Sequence, residues 1–440
     1  MQNSLIKSAG SFNIAIFLIA LLPVTNIIKG GSGTVSPVMD ITLLSYIALY
    51  IICFFKVVFH HTPIHFVKSD FITLFWSAVV LISVLYSEYT VFAIGKMSRF
   101  ILFSVGLMLI SRIVMQTKED IDKLLTYILY SWFGVELYII IDFVLSGAPL
   151  GRYAFFNVHP LPMAMTGVVV LLLAFIQLLQ QKINSLLAII IISASLMCII
   201  ISASRGPLVA LLLTLVMLLP LILRKLKLKL LVTLSFSVVL LSQLPFVKNQ
   251  FDYFYDRLMN SAGDDDRSGM RRYFIQDLYM DSFYDNPLLG AGINGVTPVV
   301  SSHNIFIDVL GENGGVLFLI LVVMVALFII DFIKTIWVAA DYTKIILVSL
   351  LMLNLWSLQF SWSYTENKYF FVFLAAYFTY SRIVKSTRKS AGLCAAPDQQ
   401  SALALPTSSN NSLNKNLGLN RNLGLNLRAI NPAVLQEKGD

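Results

Sequence analysis

Apolar runs of about 17–25 residues, long enough to cross hydrocarbon as helices, recur from residue 12 to about residue 384. Short turns rich in Gly, Pro, Asn and charge separate them. A chain written this way cannot fold as a water-soluble globule. Only 13% of its residues are charged and 57% are hydrophobic, against about 25% and 45–50% in soluble domains. Too few polar side chains exist to cover a surface, and lipid must take their place. The expected fold is an all-α polytopic membrane protein of about twelve transmembrane helices.

The expected spans lie at approximately 12–29, 41–59, 71–87, 98–116, 124–146, 160–179, 185–202, 206–223, 229–245, 315–337, 344–361 and 367–384. Residues 1–245 then hold helices one to nine and 246–313 form a large, partly helical outer loop. Residues 314–389 hold helices ten to twelve, and 390–440 are a disordered cytoplasmic tail. That tail is polar and repetitive, with Lys415–Asn420 echoed by Arg421–Asn426, a composition that cannot bury enough surface to fold alone.

Charge placement orients the chain. With the N-terminus inside, about 17 Lys and Arg fall on inner loops and about six on short outer ones, so both termini are expected in the cytoplasm. The cluster from Arg224 to Lys229 is the strongest such anchor. The first apolar run lacks a small-x-small cleavage site, so no cleavable signal peptide is expected. The net charge of +8 is thereby assigned to topology, not to nucleic acid. Cys53 and Cys198 lie within apolar runs and Cys394 in the tail. No ligand spacing suggests a metal site, and no disulfide is expected outside. Asp264–Asp266 is the one tight carboxylate cluster of the outer loop, and its Gly and Ser neighbours make it a solvated turn.

Three features of the outer side suggest chemistry. Arg205 stands at the break between two apolar spans, where a guanidinium needs a partner or a wet cavity. Arg271 and Arg272 open an amphipathic stretch leading to Asn286-Pro-Leu-Leu-Gly290-Ala-Gly292, whose glycines suit a tight turn with close backbone approach. His303 and Asn304 precede an apolar run, and His303 is the one histidine of the large loop. A fourth feature, Arg152 with Tyr153 and His159, sits between the fifth and sixth spans and could equally be an interfacial anchor.

Taken in order, Ser204-Arg-Gly206, Asn286–Gly292, Ser302-His-Asn-Ile-Phe-Ile-Asp308 and Glu312-Asn-Gly-Gly315 resemble the O-antigen ligase/polymerase superfamily. The motifs cover roughly residues 200–330; the first half is similar in its span pattern only. The resemblance implies a GT-C-type, inverting, metal-independent glycosyltransferase of the bacterial inner membrane with its active site facing the periplasm. Such a protein uses an undecaprenyl-diphosphate-linked glycan and needs no cofactor. It has a chain-length regulator and a flippase as possible partners. Carried over residue by residue, His303 is catalytic, Arg205 is catalytic and binds diphosphate, and Arg271 or Arg272 binds diphosphate. Asn304, Gly290 and Gly292 are expected as supporting residues, and Arg152, outside the family motifs, is a candidate further diphosphate ligand on its own basic loop. An aromatic often found four residues past the loop arginine is absent, those positions being Ile275 and Gln276.

The residue chemistry agrees. An acceptor hydroxyl must lose a proton, and imidazole is the side chain that takes one near neutrality. Fixed guanidiniums suit a departing diphosphate through paired, charge-assisted hydrogen bonds. A polymerase must hold two lipid diphosphates, and the second basic loop at Arg152 favours that activity over a ligase acting on lipid A-core. A multi-pass transporter is the alternative from another class. It lacks support from any internal repeat, and Asp142 and Asp331 are its main mid-span acids.

Overall fold

The computed structural model describes residues 13–25, 27, 40–62, 66–151, 153–155, 160–225, 232, 235–239, 242–259, 267–298, 301–338, 341–360, 363, 365 and 367–394. Everything said of the structure concerns these residues. Arg152, His65, His159, Asp264–Asp266, Leu226–Lys229, most of the expected 229–245 span and the repeats of the tail lie outside them. Residues 1–388 form one unit and residues 389–440 a second.

The described regular structure is helical. In order the helices are α1 (Asn13–Val24), α2 (Ile41–Val58), α3 (Lys68–Ile82), α4 (Thr90–Arg99), α5 (Gly106–Val114), α6 (Lys118–Leu145), α7 (Pro160–Leu179) and α8 (Ser185–Ser202). There follow α9 (Arg205–Met217), α10 (Leu219–Lys225), α11 (Pro245–Met259), α12 (Arg267–Asp285), α13 (Ile305–Trp337), α14 (Tyr342–Ser357) and α15 (Lys368–Cys394). Six helices among the described residues are long and apolar enough to cross a membrane, counting Thr90–Val114 as one; the bent pair α9–α10 would make seven. Three expected spans, at 12–29, 71–87 and 344–361, appear as shorter apolar helices. Among the described residues the regular structure is therefore all-helical, with six or seven helices of spanning length and composition.

Local sequence explains where the helices start and bend. Asp40, Thr117, Asn184, Asn304 and Asp341 cap their helices by accepting from backbone N–H groups of the first turn, which satisfies donors that have no partner within the helix. Between α4 and α5, Phe100–Val105 is a π-helical stretch. Its carbonyls at Leu102 and Phe103 accept from the Tyr50 and Tyr46 hydroxyls at 2.7 and 2.8 Å. The Ser104 hydroxyl donates to the Thr365 carbonyl at 2.7 Å. Wide turns of this kind recur near functional sites.

Side-chain contacts sort the helix ends into two polar layers. In one, Lys56 donates to the carbonyls that end α5, and Arg112 pairs with Asp70 at 2.9 Å. There too Lys118 pairs with Asp341, Arg382 reaches Gln116, and Arg224 donates to the Trp337 carbonyl. Asp331 is engaged by Lys344 and Tyr377 in this layer. The other layer holds the α2-distal ends of the bundle: Ser87, Lys96, Tyr153, Ser204 and the described residues of 267–304. Asp142 accepts from the Tyr153 hydroxyl there. Both acids that a transporter reading would use are thus tied to neighbours near helix ends. The fully buried acid of the apolar interior is Glu136, which accepts from Ser195 at 2.9 Å.

This two-layer arrangement makes a topology prediction. In a variant lacking native cysteines, a cysteine at exposed His60 and one at exposed Asn286 should react with an impermeant maleimide from opposite membrane faces. Labelling of both from one face would contradict the layering.

Candidate functional site

The site is built around a break in α13. Gly314 adopts φ 71°, ψ −175° inside that helix, leaving residues 305–313 as a short segment ahead of the apolar run. A helix that stops leaves its last carbonyls without partners. Here the loop 287–294 supplies them. Ala291 and Gly292 donate their N–H groups to the carbonyls of Gly311 and Glu312 at 2.9 and 2.8 Å, and Gly315 donates to Pro287 at 2.8 Å.

Glycine is required where these two backbones meet. Gly290 and Gly292 have φ 68° and 83°. A Cβ on Gly290 would come within 2.6 Å of the Asn313 nitrogen, and one on Gly292 within 2.5 Å of the Ser83 carbonyl. The amides of the Gly-Ala-Gly turn are accordingly spent on α13 and on Asn286, not presented to a phosphate. Their support of the site is the close backbone approach itself.

Below the turn lies a pair that sequence inspection missed. Lys96 Nζ meets Glu312 Oε1 at 2.7 Å, with side chains 7% and 0% exposed. The same oxygen accepts from the Asn294 N–H at 3.1 Å and the Tyr279 hydroxyl at 3.5 Å. Burial, and then the charges of Glu312 and Asp308, push the Tyr279 phenol well above its ordinary value, so it faces Glu312 as a protonated donor. Four elements therefore meet at one carboxylate: α4, α12, the 287–294 loop and α13. Ile293 extends the joint, exchanging hydrogen bonds with Ser83 and Ser87 at 3.2 and 2.8 Å.

The head of α13 carries the His-Asn motif. Asn304 is its N-cap, with Oδ1 accepting from Phe306 and Ile307. His303, half-buried, is held at φ 60°, a backbone state that costs an L-residue about 1–2 kcal/mol. Ile305 donates to the Leu358 carbonyl at 3.2 Å, which docks this turn on the end of α14. Arg272 donates to the carbonyl of Phe360 in the same turn at 3.4 Å, while Arg271 is exposed on α12. Ile275 and Gln276 stand where the resembling family often has an aromatic. Ile275 is buried and Gln276 donates to the Ser302 carbonyl at 3.3 Å, so these residues dock α12 against the motif.

Arg205 is the first residue of α9, half-buried, behind Ala203 at φ 46° and the buried Ser204. Its helix packs along α14, the helix whose end docks the His303 turn through Ile305. Gln250 of α11 accepts from Gly151 N–H, while Tyr153 N–H bonds the Ile201 carbonyl at 3.3 Å. The neighbours of Arg152 are thus fastened to the break that precedes Arg205. Arg152 itself is outside the described residues.

Two stability predictions follow from this joint. Lys96→Met should cost about 3–5 kcal/mol by stranding the buried Glu312 carboxylate, read as a lower unfolding midpoint in detergent. An unchanged midpoint would remove the pair from its central role. His303→Gly should raise the midpoint slightly, since glycine tolerates positive φ, and should strongly lower activity; a lower midpoint would show that no strain is held there.

No curated protein matches the chain. Residues 188–322, from α8 through the break in α13, match the family model described as O-Antigen ligase. The matched segment contains Arg205, Arg271, Arg272, His303 and Glu312. Over that segment the chain is similar to the O-antigen ligase/polymerase superfamily.

Proposed function

We propose that this chain is an O-antigen, or related surface-polysaccharide, polymerase of the inner membrane. In this reading it moves a glycan from undecaprenyl diphosphate to a sugar hydroxyl of another lipid-linked repeat unit at the periplasmic face. The observation that carries the reading is the seating of His303 at the head of α13 beside the turn that also holds Arg272, inside the segment matched as O-antigen ligase. Both termini lie in the cytoplasm on this reading, and the architecture is of the GT-C type.

The step is an inverting displacement without a metal ion. The acceptor oxygen attacks the anomeric carbon as its proton passes to His303, since imidazole titrates near neutrality. The bond from that carbon to the diphosphate oxygen breaks on the opposite face. Charge accumulating on the departing undecaprenyl diphosphate is met by Arg205 and Arg272, which stay protonated and offer planar, paired donors. Arg272 is preferred to Arg271 because its guanidinium lies against the turn that docks Ile305. The loop of Arg152, fastened by Gly151 and Tyr153 to the Arg205 break, gives a polymerase its station for the second lipid diphosphate. A ligase using the same donor is the second reading, which the matched family accommodates equally.

Deleting the gene and separating surface lipopolysaccharide on a gel distinguishes the two. Core carrying a single repeat unit, with the ladder lost, supports polymerase; bare core with polymer left on undecaprenyl diphosphate means ligase. An unchanged ladder and unchanged capsule and exopolysaccharide would contradict both. On complementation, Arg205→Ala and His303→Ala should fail to restore the ladder. Arg272→Ala should lose about 10²–10³-fold in transfer rate, and Arg271→Ala far less.

A further inference from the structure

His303 is held at φ 60°, and hydrogen bonds on its two neighbours brace that turn. The Ser302 hydroxyl oxygen accepts the Asn304 N–H at 3.2 Å and lies 3.0 Å from the Asn304 carbonyl. Gln276 holds the Ser302 carbonyl from α12. The remaining grip comes from Asp308, one turn into α13. Its N–H donates to the Asn304 carbonyl at 2.8 Å, and its Oδ1 accepts from the Ser302 N–H at 2.7 Å. One residue thus holds both sides of His303, by backbone on one and side chain on the other.

Asp308 is 1% exposed. It lies four residues, and so one turn, from Glu312, to which Lys96 is already bound. Its Oδ2 is buried and has no hydrogen-bond partner among the described residues, so the clamp on the turn runs through Oδ1. A buried carboxylate is costly to keep, and here its hydrogen bond goes to the turn that carries the histidine.

We propose that Asp308 is a positioning residue for His303: by holding the Ser302 N–H it locks the left-handed turn that aims the imidazole at the acceptor hydroxyl. This rests on His303 being the general base. A displacement of a reacting group by about 1 Å can cost 10²-fold in rate, and a freed turn would permit one.

The test uses full-length protein reconstituted in vesicles, with an undecaprenyl-diphosphate-linked repeat unit as substrate. Asp308→Ala should lower turnover about 100-fold with KM for the donor within about twofold. Asp308→Asn, which keeps an oxygen for Ser302, should stay within a few-fold of wild type. In a His303→Ala background the slow residual transfer left by the binding groups should fall no further on Asp308→Ala, because a residue acting only through the histidine has nothing left to act on. Full turnover in Asp308→Ala, alongside strongly slowed His303→Ala, would overturn the positioning role alone. An equal further loss in the double variant would also overturn it, by showing a general structural effect. Full turnover in His303→Ala would overturn the base assignment and the proposal with it. If Asp308→Ala does not fold, Gln276→Ala frees the other side of Ser302. Lower turnover at constant KM, silent without His303, supports the clamp, and unchanged turnover overturns it.

Discussion

A buried ion pair joins the polar layer that carries the His303 motif. Lys96 and Glu312 are 216 residues apart in the chain and 2.7 Å apart in space, with almost no solvent to screen them. Two charges out of water hold together only when geometry and further hydrogen bonds are good. Asn294 and Tyr279 provide those bonds. The pair fastens the end of α4 to the break of α13, so the first half of the chain positions the second half's chemistry.

From that joint the rest of the site takes its geometry. The break at Gly314 exposes carbonyls, the Gly290–Gly292 turn caps them, and α12 is drawn against α13 by Ile275, Gln276 and Tyr279. The short helix ahead of the break then presents Asn304 as its cap and His303 in a strained conformation. Strained residues persist where surrounding contacts over-determine them, and they concentrate at functional sites. Arg272 reaches the turn after α14 from α12, and Arg205 begins α9, a helix packed along α14.

The spans were legible in the sequence where the signal is local. The runs expected at 41–59, 124–146, 160–179 and 185–202 coincide closely with Ile41–Val58, Lys118–Leu145, Pro160–Leu179 and Ser185–Ser202, because lipid selects each run by its own composition. His303 and Arg205 stand out in the sequence as types out of place in an apolar chain, and the structure sets them at the heads of α13 and α9. Pairings over long sequence distance were not legible. Lys96 read as one more cation of an outer loop, and Glu136 was passed over inside its run, because neither shows its partner by spacing. The start of α13 at Ile305 was hidden as well. Gly314 and Gly315 look like the end of a loop, whereas Gly314 is a bend within a helix whose freed carbonyls a distant turn satisfies. The same geometry explains why the Gly-Ala-Gly pattern offers no free amides to a phosphate.

The central claim is that this one chain transfers a lipid-linked glycan using a base and guanidiniums gathered at the outer end of the bundle. Its most direct test is to give purified protein in vesicles an undecaprenyl-diphosphate-linked repeat unit, with chelator present, and measure undecaprenyl diphosphate released against glycosidic bonds formed. The account predicts one diphosphate released per bond in wild type, with elongated lipid-linked glycan as product, and about 10²–10⁴-fold slower release of both in His303→Ala. Transfer that keeps its wild-type rate without His303, or that stops when divalent metal is removed, would contradict it.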